Sequence, residues 1–339
     1  MRDIADLAGV SIATVSRVLN EPEKVRTETR LKVEKVMEQN NFVANAVARG
    51  LVINSMQTIG VLTVDIRDDY FAEVIYTLER QFTDLGYNVL LSNTGGQLGE
   101  KKRYLRIMQE KQVDAFILVG SVFKEATGNQ HILETSKAVP VVLINSYLEG
   151  ENIYSVLCDD AYGVREAVNY LVKQGRRDIY YFTDTKSASG LAKLEGFVSG
   201  MSEHGLDPSN VIQIARGLEG GAEGVAQLLA NKRPLSAVIC GEDLTAAGAM
   251  KTLTKSGYRI PEEVAVIGYN NSVLAQTVTP TLTSIDNMPA SMARQAVGIL
   301  AELFQGKEVS KKIVLTPRLV RGESTEGFET SCTGKAALE

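Results

Sequence analysis

The chain has 339 residues and a formal net charge of −5 at pH 7, so it lacks the strongly basic balance of a general nucleic-acid coat. It is longer than one typical domain, and no apolar run is long enough to span a bilayer. Because no signal peptide is recognisable, we expect a cytoplasmic protein with no membrane association. The three cysteines, Cys158, Cys240 and Cys332, lack metal-ligand spacing, which favours a reducing compartment and no bound metal.

The start of the chain predicts two short helices joined by a tight turn. Residues 4–8 form one amphipathic turn and a half, and Gly9 then permits the left-handed backbone that ends a helix. Ser11 is placed to cap the second helix. One face of that helix carries Val15, Val18 and Leu19, and the other carries Ile12, Ala13, Ser16 and Arg17. This is the pattern of a helix-turn-helix, whose second helix enters the DNA major groove, although an ordinary helical hairpin fits the same residues.

A third helix is predicted over residues 28–40, with Thr27 as its cap. Its Val33, Val36 and Met37 would face the first two helices. Lys24, Arg26 and Arg30 cluster at its start, where they suit a DNA phosphate. Up to Leu51 the chain has 8 Lys+Arg and 7 Asp+Glu, so DNA affinity has to come from where the charges lie.

From Thr58 onward, apolar runs alternate with helical stretches, which is typical of parallel α/β layers. One set has predicted strands at 58–64, 88–92, 115–119 and 141–144, with helices near 71–85, 100–110 and 132–137. A second set has strands at 179–182, 237–240 and 264–267, with helices near 161–174, 191–204, 223–229 and 245–256. A helix at 289–304 and strands near 312–315 and 319–320 follow. We therefore predict two doubly wound subdomains with a ligand cleft at the carboxyl ends of their strands.

Two motifs carry a resemblance to a known family. Asp3-Ile4-Ala5 through Asn20 resembles the head of the lactose/galactose-repressor (LacI/GalR) family of bacterial transcription regulators, and residues 41–51, Asn-Phe-Val-Ala-Asn-Ala-Val-Ala-Arg-Gly-Leu, resemble its hinge. The likeness continues to about Arg321. The family usually has a capping Thr or Ser before the position of Asp3, whereas this sequence opens at Met1; either that cap is missing or the chain starts upstream.

The resemblance implies a domain layout. A helix-turn-helix head would occupy residues 1–42, and a hinge helix and linker 43–57. An effector-binding and dimerisation core of periplasmic-binding-protein type would occupy 58–323. In that core the chain crosses three times between an N-subdomain (58–157 and 288–315) and a C-subdomain (158–287 and 316–323). Residues 324–339 have weak periodicity and are predicted to be disordered.

The resemblance also assigns DNA contacts. It implies that Ile12 and Ala13 face bases and that Arg17 reaches a base edge. Further contacts, mostly to phosphates, would come from Ser11, Thr14, Ser16, Asn20, Lys24 and Thr29. In the hinge the DNA-binding positions are Asn45, Ala48, Arg49 and Leu51, with Leu51 wedged into the minor groove when two copies pair on DNA. Ala44 replaces the usual proline, which makes helix formation there less favourable; alternatively, Leu51 packs on the core as a linker residue.

The family's cleft positions are matched more loosely. The matching residues are Tyr70, Phe71, Ser146, Asp159, Ser187, Ser189, Lys193, Glu242 and Asn270. Lys193 stands where the family has arginine, and Asn270 stands where it has aspartate. A cation is kept and an anion is removed, so we expect positive charge in the cleft and a modest preference for an anionic ligand, unless Glu242 or Asp159 compensates. The alternative is that these are solvated residues of the cleft rim.

No nucleophile–base pair, nucleotide loop or cofactor motif is present in the sequence, so we expect no enzyme and no cofactor. The favoured interpretation is a repressor of a carbohydrate-utilisation operon, a homodimer or tetramer that binds operator DNA and a sugar-like effector. One alternative is a catabolite-control-type regulator governed by a protein co-repressor, with a vestigial cleft. The other is a solute-binding protein, which the head and the missing signal peptide disfavour.

Overall fold

The computed structural model describes residues 1–40, 42 and 55–326. The head is built from α1 (Arg2–Ala8), α2 (Ile12–Asn20) and α3 (Thr27–Gln39). Gly9 ends α1 with a left-handed φ of 63°, and Ser11 caps α2 by accepting a hydrogen bond from the Thr14 amide at 3.1 Å. The turn residue and the cap of α2 therefore act as their chemistry predicts.

Thr27 does not cap α3. The helix includes Thr27, and Arg26 occupies the cap position without a side-chain hydrogen bond to the helix. The Thr27 prediction was wrong because a hydroxyl at the first helical residue lies one position too late to reach the free amides.

A small apolar core holds the head together. Its buried members are Ile4, Ala5, Ala8, Val15, Val18 and Val33. Leu19, Val36 and Met37 pack against them while partly exposed. The 3.6-residue periodicity thus placed the inward face of each helix correctly.

The strands of the first sheet of the core are β1 (Thr58–Thr63), β2 (Asn88–Asn93), β3 (Ala115–Val119), β4 (Val141–Ile144), β5 (Ile153–Cys158) and β11 (Lys312–Leu315). Their spatial order is β11-β5-β4-β3-β1-β2. The pairs β1–β3, β3–β4, β4–β5 and β5–β11 are all parallel. The helices between them are α4 (Asp69–Asp84), α5 (Leu98–Glu110) and α6 (Gln130–Ser136).

The strands of the second sheet are β6 (Ile179–Thr183), β7 (Val211–Gln213), β8 (Ala237–Cys240), β9 (Ala265–Tyr269), β10 (Thr283–Asp286) and β12 (Arg318–Val320). Their spatial order is β12-β10-β9-β8-β6-β7, with β12 antiparallel to β10 at the edge of the sheet. The helices are α7 (Asp160–Lys173), α8 (Ala188–Glu203), α9 (Leu218–Ala230), α10 (Asp243–Lys255) and α11 (Val273–Thr277).

The chain passes between the two sheets three times. It leaves the first sheet after β5 and returns after β10 through α12 (Pro289–Phe304). Met292 and Ala296 of α12 pack with Val74 and Leu78 of α4 in one apolar cluster, so α12 belongs to the first subdomain. After β11 the chain crosses again to β12. These crossings place the carboxyl ends of both sheets around one cleft.

Some elements were absent from the sequence-based expectation. Strand β10 is an example: its Thr283 and Ser284 are fully buried, yet they are polar. Thr283 Oγ1 bonds the Gly322 carbonyl at 2.9 Å, and Ser284 Oγ donates to Asp243 Oδ1 at 2.5 Å. Hydroxyl side chains can be buried when they are hydrogen-bonded, but they do not add to the hydrophobic pattern of a strand. The sequence pattern therefore did not predict β10. The others missed were β5, the short β7 and the short α11.

The ordered chain extends beyond Glu323, which corrects the predicted start of a disordered tail. Ser324 and Thr325 are buried, and Ser324 Oγ donates to the Val266 carbonyl at 2.6 Å. Hydrogen bonds of the main chain and of hydroxyl groups hold this segment in place. The segment has no apolar periodicity, which explains the error. Among the described residues no helix has the length and apolar character needed to cross a membrane.

Candidate DNA interface and ligand cleft

The outward face of α2 is open to solvent. Ile12 is 48% exposed, and Ala13 and Arg17 are exposed beside it. Val15 and Val18 anchor the opposite face in the core of the head, so the orientation of the outward face is fixed. A helix that exposes an apolar residue and an arginine on one face is suited to contact base edges in a DNA major groove.

Of the remaining predicted DNA contacts on α2, Ser11 and Thr14 lie at the start of the helix. Ser11 Oγ is 2.9 Å from Thr14 Oγ1, and Thr14 and Ser16 are half-buried. Asn20 is the last residue of the helix. The predicted hinge contacts Asn45, Ala48, Arg49 and Leu51 lie outside the described residues.

Neighbouring carboxylates engage the cations ahead of α3 and within it. Lys24 Nζ lies 3.0 Å from Glu21 Oε1, and this hydrogen bond raises the pKa of Lys24. Arg30 Nε lies 3.7 Å from Glu34 Oε1. Exposed pairs of this kind contribute at most about 1 kcal/mol, so a DNA phosphate can replace the carboxylate. The sequence alone did not predict that these charges are paired. The predicted phosphate contact Thr29 is half-buried within α3.

A cavity of about 210 Å³ lies where the strands of both sheets end. Its wall includes residues that directly follow seven strands, namely Val64, Gly120, Asn145, Asp184, Gly241, Asn270 and Asn287. Asn145 and Asn270 have φ of 59° and 96°, a left-handed region that asparagine tolerates better than most residues. The topology thus delivers loop residues from two subdomains to one site.

Seven of the predicted cleft residues line this cavity: Tyr70, Phe71, Ser187, Ser189, Lys193, Glu242 and Asn270. Ser146 and Asp159 do not. Ser146 is buried away from the cavity, and Asp159 caps α7 by accepting a hydrogen bond from the Tyr162 amide at 3.0 Å. The neighbouring Asp160 is the carboxylate directed toward the floor of the cleft.

Lys193 is held in a polar cluster beneath the cavity. Its ammonium donates to the Gly241 carbonyl at 2.8 Å and lies 3.6 Å from the centroid of the Tyr269 ring. Asp160 accepts hydrogen bonds from Tyr269 Oη at 2.5 Å and from Ser189 Oγ. Burial lowers the pKa of Lys193 and raises that of Asp160, while the attraction between the two charges opposes both shifts.

Sequence reasoning missed Arg216, which precedes α9. Its Nε lies 2.9 Å from Glu242 Oε2 and its Nη2 lies 2.5 Å from Asp68 Oδ2. The two carboxylates raise the pKa of the guanidinium despite its partial burial. No local pattern marked this arginine, because its partners are 148 and 26 residues away in the chain.

These charges remove the excess of positive charge that the sequence predicted for the cleft. The cavity wall carries two cations, Lys193 and Arg216, against three carboxylates, Asp68, Asp184 and Glu242. Asp160 adds a fourth carboxylate behind Lys193. The protein itself therefore compensates the positive charge, so the cleft needs no anionic ligand to balance it. Lys193 is also not a solvated rim residue, since its ammonium is bonded on the floor of the cleft.

Two buried polar atoms of the cavity wall have no hydrogen-bond partner among the described residues: Tyr70 Oη and Asn287 Oδ1. Burial raises the pKa of Tyr70 well above its usual value, so this hydroxyl stays neutral. Phe71 presents an apolar ring beside it, 5.1 Å from the Tyr70 ring centroid. Unpaired buried atoms beside an aromatic face match an uncharged ligand that carries hydroxyl groups.

The described residues hold no cluster of His, Cys, Asp and Glu able to bind a metal ion. Cys158 and Cys240 are buried, and burial raises the pKa of each thiol. Both are therefore poor nucleophiles. The arrangement of the cleft is suited to binding.

A helix-turn-helix head combined with a two-subdomain ligand-binding core defines a DNA-binding transcription regulator. Comparison with known proteins agrees: residues 1–45 match the family described as "Bacterial regulatory proteins, lacI family", and residues 168–325 match "Periplasmic binding protein-like domain". An HTH-type transcriptional regulator of Lachnoclostridium phytofermentans is 38% identical over 95% of this chain and 98% of its own length. The HTH-type transcriptional repressor PurR of Salmonella newport is 32% identical over 96% of each chain. The chain belongs to the LacI family.

A solved relative has the same fold. The Lac repressor dimer bound to operator and the anti-inducer ONPF superposes with a TM-score of 0.86 at 25% identity, covering 95% of this chain and 98% of that one. The helical head and the two parallel-sheet subdomains predicted from the sequence are thereby confirmed.

Proposed function

We propose that the protein represses a carbohydrate-utilisation operon under the control of a small, neutral, sugar-like effector. Two copies would bind a near-palindromic operator through α2 of each head. The observation that carries the effector assignment is the cavity with its unpaired Tyr70 Oη and Asn287 Oδ1. Its volume of about 210 Å³ lies below the roughly 300–1,000 Å³ of pockets for drug-sized ligands, which favours a single sugar ring.

The relatives support this proposal. The Lac repressor is a dimer in its complex with operator and ONPF, and a second structure holds it with ONPG in the repressed state at 25% identity. By analogy we assign operator DNA and a sugar derivative as the partners of this protein, and the homodimer as its DNA-binding form.

The two alternatives fit the molecule less well. A vestigial cleft under the control of a protein co-repressor would have no need for buried polar atoms that lack partners, because each one costs folding free energy. A solute-binding protein would have no use for a head with a fixed, outward-facing recognition helix. The cleft and the head together favour a regulator that reads a metabolite.

The test combines two measurements. Operator sequences are selected from random DNA with the full chain, and monosaccharides, their acidic derivatives and disaccharides are screened by thermal shift, because a ligand of the native state raises the melting temperature. We expect a neutral monosaccharide to raise it and to change operator affinity measured by fluorescence anisotropy.

The variant Asn287→Ala removes one of the two unpaired atoms of the cavity wall. It should bind the operator as the wild type does but lose the response to the sugar. An acidic sugar as the better ligand would contradict the assignment of a neutral effector. A protein co-repressor that alone alters operator affinity would contradict the assignment of a small-molecule effector.

A further inference from the structure

An arginine–carboxylate bond joins the two subdomains across the mouth of the cleft. Arg216 lies in the second subdomain between β7 and α9, and Asp68 lies in the first subdomain at the start of α4. Their charged atoms, Nη2 and Oδ2, are 2.5 Å apart. Glu242, which follows β8 of the second subdomain, fixes the same guanidinium from the other side at 2.9 Å.

This bond lies between two neighbouring cavities. The inner cavity of about 210 Å³ and an outer hollow of about 600 Å³ share Asp68, Arg216, Glu242, Tyr70 and Asn270 in their walls. The arginine and its two carboxylates therefore lie at the boundary between the hollow and the cavity.

The pair has the chemistry of a reversible contact. Asp68 is 22% exposed and Arg216 is 54% exposed, so water can replace either partner when the bond breaks. Glu242 stays on the subdomain of Arg216 in either state, because both belong to the loops of the second sheet. Opening the cleft therefore costs one ion pair and leaves the guanidinium with a partner.

We propose that Arg216 is a latch residue: its bond to Asp68 holds the two subdomains closed over the cavity in the absence of ligand. The latch concerns the same cleft as the proposed function, but it does not depend on the identity of the effector. Its test needs neither DNA nor sugar, so its failure would leave the proposed function standing.

The experiment measures the distance between the subdomains in the free, full-length protein. Fluorophores are placed at Arg106→Cys on α5 and Gln227→Cys on α9, both exposed, in a Cys332→Ser background. Labelled chains are mixed with an excess of unlabelled chains, so that each assembly holds at most one labelled copy. Single-molecule energy transfer then gives the ratio of open to closed molecules.

Two variants remove the bond from opposite sides. Arg216→Met removes the cation, and Asp68→Asn removes the charge while keeping a good cap for α4, whose Tyr70 amide bonds Asp68 Oδ1 at 2.9 Å. Each should raise the open-to-closed ratio about fivefold at low salt, the effect of a favourable exposed ion pair. The matched control is Arg67→Met, because Arg67 pairs with Asp65 within the first subdomain at 2.5 Å and should leave the ratio unchanged.

The double variant distinguishes the latch from a general loss of charge. Arg216→Met combined with Asp68→Asn should open the cleft no more than either change alone, since both remove the same bond. The proposal is overturned if neither single variant opens the cleft, if only one of them does, or if Arg67→Met opens it equally.

Discussion

The head and the cleft both offer side chains to a ligand, but they hold these side chains in different ways. In the head, one nine-residue helix carries the exposed face, and residues three and four positions apart anchor it to a small core. In the cleft, the side chains come from loops after strands of two sheets, and several of them are fixed by partners far away in the chain, as Lys193 is by the Gly241 carbonyl. Recognition of DNA is therefore encoded locally in this protein, whereas recognition of the effector is a product of the fold.

The largest expected effect concerns the head. If two heads bind as a two-fold pair, insertion of about five base pairs at the operator centre rotates one half-site by half a turn out of reach. We expect a loss of about a thousandfold in affinity, the range that separates specific from non-specific binding. Fluorescence anisotropy at constant salt is the measurement, with insertion of a full turn as the control. Equal affinity for the native and half-turn operators would show that each head binds independently.

The next effect tests the buried polar network near the cleft. Asp243 is 2% exposed, and burial raises its pKa to about 6, although Ser272 and Ser284 donate hydrogen bonds to it. Its pKa in the unfolded chain is near 3.8. Because the folded pKa is the higher one, the stabilising contribution is complete below pH 4 and is lost as pH rises through 6. Relative to Asp243→Asn, the wild type should lose about 3 kcal/mol of unfolding free energy between pH 3 and pH 8.

Urea unfolding of both proteins at several pH values measures this difference. If the gap between wild type and Asp243→Asn does not change with pH, the carboxyl is ionised throughout and the hydrogen bonds from Ser272 and Ser284 outweigh its burial.

The same contrast explains what could be predicted from the sequence. The end of α1 at Gly9 and the capping of α2 by Ser11 could be predicted from the sequence, because each depends on residues within one helical turn. The predicted cleft position at Asp159 was one residue away from the buried carboxylate of Asp160, since only the tertiary fold distinguishes an outward cap from an inward acceptor. Arg216 carried no local signal at all. The charge balance of the cleft was therefore misjudged from Lys193 and Asn270 alone, before the surrounding carboxylates were known.

The third prediction concerns base reading by the head. Arg17 is exposed on the outward face of α2, so Arg17→Ala should cost about 1–3 kcal/mol on the preferred operator and relax one base position. The matched control is Arg2→Ala, an exposed arginine on α1 that we expect to contribute no base contact. Binding to a panel of single-base operator variants separates the two roles: an equal loss on every variant would make Arg17 a backbone contact.

The smallest expected effect tests whether the cleft is a binding site. One substitution should stabilise the ligand-free protein and, at the same time, weaken the binding of the effector. Tyr70 Oη is buried without a partner among the described residues, so the free protein carries the cost of its desolvation. Tyr70→Phe should therefore raise the unfolding free energy of the ligand-free protein by up to about 1 kcal/mol, and should weaken effector binding by about 1 kcal/mol. The control is Tyr154→Phe, whose hydroxyl lies 3.4 Å from Asn152 Oδ1, away from the cavity wall, and which should leave effector binding unchanged. Thermal unfolding and calorimetry on the same samples provide both numbers. A variant that is destabilised without ligand, yet binds the effector as tightly as the wild type, would show that the hydroxyl serves the fold and not the ligand.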